Sequence, residues 1–138
     1  MIRRIVGSGG GPLVAGVMAA LALAVNGRKL RSLSAREMRA VDGVCPGLDL
    51  TTVRVAEGCR LPLLPGFVAI TLGRTVYLRD RLEKHRAGLL AHELAHVQQF
   101  ATRGWIGMTA EYGALWMEHG YARHPMELEA RAAEVRAG

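Results

Sequence analysis

The chain has 138 residues, a length that suits a single domain with one hydrophobic core. Half of the residues are hydrophobic and 22% are charged, which excludes a fully disordered chain. The formal net charge is +6, but five of the basic residues fall within the first 31 positions, where there is no acidic residue. The remaining residues hold 13 basic and 12 acidic side chains, so the body of the chain is nearly neutral and nucleic acid is not an expected partner.

The N-terminal basic residues flank an apolar run, Leu13–Val25, and a proline at its start predicts a helix over residues 12–25. Such a helix has about 20 Å of apolar length, short of a hydrocarbon core of ~30 Å. Three interpretations stay open: a signal peptide with an alanine-x-alanine cleavage site at residues 22–24, a membrane anchor, or a helix packed on the domain or a partner. We divide the chain into an N-terminal apolar segment, residues 1–30, and a domain over residues 31–138. We expect the protein to be membrane-associated or exported.

The domain alternates short strands and helices. Ser34 and Glu37 form a capping box, which predicts a short helix that ends near Val41. The predicted strands lie at residues 51–56, 67–72 and 75–79, the last two joined by a tight turn at Gly73-Arg74. The predicted longer helices lie at residues 81–102, 105–118 and 126–137, with Arg103-Gly104 ending the first of them. This order predicts an α+β fold.

The segment that carries chemistry is His92-Glu93-Leu94-Ala95-His96, an H-E-x-x-H motif. On a helix the two histidines lie one turn apart and can bind one Zn²⁺ together. Glu93 lies about 100° further round, where its carboxylate can take a proton from a water molecule on the metal. The side chains expected on the opposite, buried face of this helix are Leu90, Leu94, Val97 and Ala101. We therefore expect the helix to be buried on one side and to present the histidines on the other.

A catalytic zinc usually has three protein ligands. Gln99 and Thr102 stand where the extended metzincin pattern has a glycine and a histidine, which excludes that subclass. The donors further along the chain are Glu111, Glu118, His119, His124, Glu127, Glu129 and Glu134. The segment at residues 124–131 stands out because a proline-started helix puts Glu127 in its first turn, and Glu129, His119 and His124 are the rival ligands. Cys45 and Cys59 form no C-x-x-C pair, so a thiolate zinc site is not expected, and free thiols are favoured over a disulfide.

Three stretches together resemble a bacterial family of small zincin domains of the minimal gluzincin type. They are a strand pair at residues 71–77, the motif with its flanks at residues 92–99, and His-Pro-Met-Glu-Leu-Glu-Ala at residues 124–130. The resemblance covers about residues 30–138 and is more distant to the gluzincin membrane peptidases. It implies a zincin-like fold in which a small β-sheet packs on the motif helix. It also implies that zinc is held by His92, His96 and Glu127, and that Glu93 is the catalytic base.

Two positions depart from the family pattern: His124 replaces an asparagine, and Arg131 stands where the membrane peptidases have an aspartate that orients a zinc-binding histidine. The candidate donors to an oxyanion are Tyr121, Arg123 and His124, whereas Tyr112 is expected only to pack. The strand Thr75–Arg79 is expected to bind an extended peptide by edge pairing.

The function expected from these features is zinc-dependent hydrolysis of a peptide or protein substrate by a metallopeptidase. A catalytically inactive, zinc-stabilised interaction domain at a membrane or partner protein is the alternative.

Overall fold

The computed structural model describes residues 3–6, 17, 20–21, 26–59 and 67–138, and these contain five strands and three α-helices. The strands are β1 (Arg3–Val6), β2 (Leu30–Ser32), β3 (Arg54–Ala56), β4 (Phe67–Leu72) and β5 (Thr75–Leu78). The helices are α1 (Ala35–Ala40), α2 (Ala87–His119) and α3 (Pro125–Arg136). Short 3₁₀ helices lie at Gly27–Lys29, Leu50–Thr52 and Leu82–Lys84.

The five strands form one mixed sheet in the order β1-β4-β5-β3-β2. The β4–β5 hairpin is antiparallel, and Gly73 takes a positive φ of 65° in its turn, as predicted from the Gly-Arg pair. The sheet and helices confirm the α+β class. The expectation that residues 75–79 form a free edge is wrong, because β5 pairs with β4 on one side and with β3 on the other. The parallel β3–β5 pairing joins residues about 20 positions apart, and no local pattern indicates it.

Two predicted elements differ from the observed ones at their starts. Only the second half of the strand predicted at residues 51–56 is extended, because the Asp49 carboxylate accepts hydrogen bonds from the Thr51 backbone N–H at 3.0 Å and the Thr51 hydroxyl at 2.6 Å. These bonds cap the 3₁₀ helix Leu50–Thr52. The helix predicted from residue 81 begins at Ala87, after a separate 3₁₀ turn.

Most of the predicted N-terminal helix lies outside the described residues, as do its cleavage site and residues 60–66. Within it Val17, Ala20 and Leu21 are described, and all three are helical and exposed. The strand β1, which pairs in parallel with β4, was not predicted from the sequence. In the described part of the chain, no helix combines the length and the apolar character needed to cross a membrane. The division of the chain at residue 30 stays a prediction.

The first half of α2 packs between the sheet and α3 and is buried on all sides. Leu90, Leu94 and Val97 lie in the core as predicted, whereas Ala101 is exposed. The expectation that one face of this helix stays open is wrong, because α3 covers it. Both cysteines are buried free thiols, as favoured from the sequence. Gly104 interrupts α2 with a positive φ of 73°, so the predicted helix end is observed as a break between two helical halves.

The capping box of α1 is also a salt-bridge network. Glu37 caps Ser34 and accepts two hydrogen bonds from the Arg31 guanidinium at 2.7 and 2.9 Å, and Arg31 also contacts Glu57 at 2.8 Å. The hydrogen bonds from Arg31 hold the pKa of Glu37 below its ordinary value of 4.5. The pairing therefore stabilises the fold above that pH and is lost as the pH falls through the lowered pKa.

Glu37→Gln is expected to lower the free energy of unfolding by about 0.5–1 kcal/mol at pH 7, because glutamine still caps the helix but does not pair with Arg31. The difference from wild type should shrink as the pH falls below 4.5. Urea denaturation at several pH values measures this. Glu83→Gln is the matched control, because Glu83 is exposed and lies 3.6 Å from Arg81. A Glu37→Gln difference that does not change with pH would contradict the assignment.

Candidate metal centre

Three buried side chains meet where α2 and α3 pack together. His92 and His96 project from α2, and Glu127 projects from the first turn of α3. His92 Nε2 lies 3.1 Å from Glu127 Oε1, and His96 Nε2 lies 2.9 Å from Glu127 Oε2. One ligand atom of each residue falls within 4.8 Å of the others, and all three side chains have 0% exposure. The structure thus brings together the three predicted ligands.

The second ring nitrogen of each histidine is held by a side chain behind it. His96 Nδ1 lies 2.9 Å from Gln99 Oε1, while the Gln99 amide nitrogen donates to the Met126 carbonyl at 3.1 Å. The amide oxygen can only accept, so His96 Nδ1 carries a proton. His92 Nδ1 lies 3.0 Å from Glu134 Oε2 and donates to that carboxylate in the same way. When either ring is neutral, its Nε2 therefore presents a lone pair toward Glu127.

Two imidazole nitrogens that converge on a buried carboxylate are stabilised either by protons on the rings or by a cation between them. Burial opposes charge on His96, but the negative Glu127 outweighs it and raises the pKa of His96. Burial would likewise raise the pKa of Glu127, yet the two histidines hold it well below its ordinary range. Each Nε2–oxygen distance is close to the roughly 3.3 Å that separates two ligands of one tetrahedral zinc with bonds of about 2.0–2.1 Å. The donor set therefore fits a metal ion, and two imidazoles with a carboxylate are typical of zinc.

Glu93 lies beside this triad on α2 and is fully buried. The Thr71 hydroxyl, from β4, donates to Glu93 Oε2 at 2.7 Å and fixes the carboxylate. The negative charge of Glu93 contributes to the raised pKa of His96, as expected for a carboxylate close to the triad. Its role as a base stays a prediction.

Tyr112, which was expected only to pack, belongs to the site. Its hydroxyl donates to Glu127 Oε2 at 3.2 Å. Burial and the charge of Glu127 raise the pKa of Tyr112, so the hydroxyl keeps its proton and remains a donor. In a straight helix Tyr112 would lie roughly 24 Å along the axis from His96. The break at Gly104 folds the second half of α2 back, so that Tyr112 and His96 reach the same carboxylate.

The rival ligands either lie away from the triad or use their ring nitrogens in other hydrogen bonds. Glu129 is exposed on α3, and His119 lies at the exposed end of α2, where its Nε2 is 3.7 Å from a Glu118 carboxylate oxygen. His124 is the N-cap of α3: its Nδ1 accepts from the Met126 N–H at 3.1 Å, and its Nε2 donates to the Tyr112 carbonyl at 2.9 Å. Burial lowers the pKa of His124, which keeps this ring neutral and able to accept. His124 thus caps the helix at the position where the zincin domains that the sequence resembles have an asparagine.

We expect His124→Asn to keep most of the stability, because asparagine also caps helices, whereas His124→Ala lowers the free energy of unfolding by about 1–2 kcal/mol. Neither variant should change the metal content, since both ring nitrogens bond to backbone. Urea denaturation and elemental analysis of the two purified variants measure these outcomes. Loss of the metal from the asparagine variant would show that His124 is a ligand.

The candidate oxyanion donors lie in the turn between α2 and α3. His124 uses both ring nitrogens, and Arg123 is exposed. The Tyr121 ring packs against Trp116 with 5.7 Å between ring centroids. Arg131 donates to the Ala122 carbonyl at 2.8 Å, so it holds this turn and does not orient a histidine. The role of each candidate toward an oxyanion stays a prediction.

Comparison with known proteins shows a similarity over part of the chain. A family model described as the eCIS core domain matches residues 43–104. This region includes β3 to β5 and the part of α2 that carries His92, Glu93 and His96, whereas Glu127 and Tyr112 lie beyond it. No match was found among curated proteins or among solved structures.

Proposed function

We propose that this chain is a zinc-dependent metallopeptidase domain that hydrolyses peptide bonds. The observation that carries the proposal is the buried triad His92–His96–Glu127 with the Glu93 carboxylate beside it on the same helix. The matched family supports it, because the eCIS core domain is associated with zincin-like, metallopeptidase-like domains in extracellular contractile injection systems. The substrate class would be a peptide or protein, and the apolar N-terminal segment would place the domain at a membrane or outside the cell.

The three metal ligands, Glu93 and Thr71 would each have a separate role in the reaction. A zinc ion held by His92, His96 and Glu127 would supply Lewis acidity toward a water molecule and a peptide carbonyl. Glu93 would take the proton from that water at Oε1, while Thr71 keeps the carboxylate in place through Oε2. The deprotonated water oxygen would bond to the peptide carbonyl carbon, and Glu93 would then pass the proton to the leaving amine nitrogen as the carbon–nitrogen bond breaks. The base is restored at the end of the cycle.

A second candidate, a catalytically inactive and zinc-stabilised interaction domain, is favoured by the enclosure of the site. His92, Glu93, His96 and Glu127 all have 0% exposure. The edge of β4 is also occupied, because Val6 of β1 pairs with Thr71, the residue that holds Glu93. A substrate can reach Glu93 only if part of this cover moves.

Measuring zinc content and digesting a peptide library with the purified full chain would separate the two candidates. Zinc together with cleavage that stops after chelation supports the metallopeptidase. One equivalent of zinc with no cleavage of any peptide supports the interaction domain. A chain that binds no zinc overturns both, and a His92→Ala, His96→Ala double variant is the negative control for metal content.

A further inference from the structure

The face of α3 that carries Glu127 also carries a second acidic residue. Glu134 follows two helical turns after Glu127 and so projects from the same side of the helix. Glu127 contacts the Nε2 atoms of both histidines, whereas Glu134 contacts Nδ1 of His92 from behind at 3.0 Å. One helix thus supplies a carboxylate to each side of the His92 ring.

The position expected to orient a histidine in the membrane peptidases holds a basic residue here. Arg131 donates to the carbonyls of Ala122 at 2.8 Å and Tyr121 at 3.3 Å, in the turn before α3. The His92 ring, which has 0% exposure, is instead met by Glu134, whose side chain is 37% exposed.

We propose that Glu134 is the positioning residue for His92, and that Gly88 makes the room that lets it reach the ring. The proposal rests on the proposed metal site. A carboxylate at Nδ1 keeps the proton on that nitrogen and makes Nε2 a stronger electron donor. Glu134 therefore acts on the metal through His92 and does not bind it.

Gly88 lies one turn before His92 on α2 and close to Glu134 of α3. A Cβ atom at residue 88 would lie 3.0 Å from Glu134 Cγ and 3.3 Å from the Glu134 carbonyl oxygen. The first distance is shorter than the about 3.5–4.0 Å at which two carbon atoms pack against each other. The carbonyl oxygen belongs to the backbone, so it cannot turn away as a side chain can. A side chain at this position would push Glu134 and the backbone of α3 away from His92.

The test compares zinc affinities of the full chain by competition with a chromophoric chelator. Glu134→Gln is expected to weaken zinc binding by about 10-fold, and Glu134→Ala and Gly88→Ala by about 10–100-fold. The matched control Glu129→Gln, an exposed acid on the same helix, should bind zinc as wild type does. Because Glu134→Ala removes the Cγ atom that the new Cβ would meet at 3.0 Å, Gly88→Ala should cause a smaller loss in the Glu134→Ala background than in wild type.

A second readout distinguishes positioning from general destabilisation. Cobalt-substituted Glu134→Gln should show a shifted visible absorption band relative to cobalt-substituted wild type, whereas Glu129→Gln should not. Wild-type zinc affinity and an unshifted cobalt band in Glu134→Gln would overturn the inference and leave the proposed metal site standing. A wild-type chain that binds neither metal would overturn the proposed function as well.

Discussion

Glu93→Gln is expected to abolish peptide hydrolysis while one equivalent of zinc stays bound. Glutamine has nearly the same shape, and its side-chain oxygen can still accept the hydrogen bond from Thr71, but it cannot take a proton from water. Loss of a general base lowers kcat by about 10²–10⁴-fold. Because Glu93 is not one of the three clustered ligands, metal content should not change.

The experiment pairs a fluorogenic peptide assay with elemental analysis of the same samples. Glu111→Gln is the matched control, because Glu111 lies on the same helix but is exposed and pairs with Arg103 at 2.8 Å. Hydrolysis by the Glu93 variant at the wild-type rate would exclude Glu93 as the base. Loss of zinc from this variant would instead make Glu93 part of the metal site.

Glu127→Gln is expected to weaken zinc binding by more than about 100-fold, because the site loses its only anionic ligand among the three. Without metal, the variant should also be less stable than wild type by about 3 kcal/mol, since a buried His96 loses the carboxylate 2.9 Å away. Chelator competition measures the first effect, and urea denaturation of the metal-free proteins measures the second. Glu129→Gln should match wild type in both, because Glu129 is exposed two positions along the same helix. Equal zinc affinity in the Glu127 and Glu129 variants would contradict the triad.

Features set by neighbouring residues could be predicted from the sequence. The capping box at Ser34 and Glu37, the turn at Gly73 and the break at Gly104 all follow from short patterns, and all are observed. His92 and His96 face the same point because four residues make about one helical turn. Glu127 was favoured by resemblance and by its place in the first turn of α3, and the structure brings it to both histidines.

Features set by long-range packing could not be predicted. The second partner of β5 is β3, some 20 residues earlier in the chain, so the edge expected at β5 does not exist. Tyr112 reaches Glu127 only because α2 folds back at Gly104, and no spacing in the sequence indicates that return. Glu134 was among the possible donors, but its contact with His92 depends on how closely α3 approaches Gly88.

The burial of the metal site is likewise set by long-range packing. Amphipathic spacing predicts which side of α2 faces the sheet, but it does not show that a later helix covers the other side. The Gln99 side chain joins the two helices, because it accepts a hydrogen bond from His96 within α2 at 2.9 Å and donates to the Met126 carbonyl of α3 at 3.1 Å. Of these contacts, only the first joins residues close in sequence.

The central claim is that His92, His96 and Glu127 hold one metal ion. Anomalous scattering from a crystal of the zinc-loaded chain, recorded on both sides of the zinc absorption edge, tests it most directly. We expect a single strong peak about 2.0–2.2 Å from His92 Nε2, His96 Nε2 and a Glu127 carboxylate oxygen. A peak at Glu129 or His119, or no peak between the two histidines, would contradict the claim.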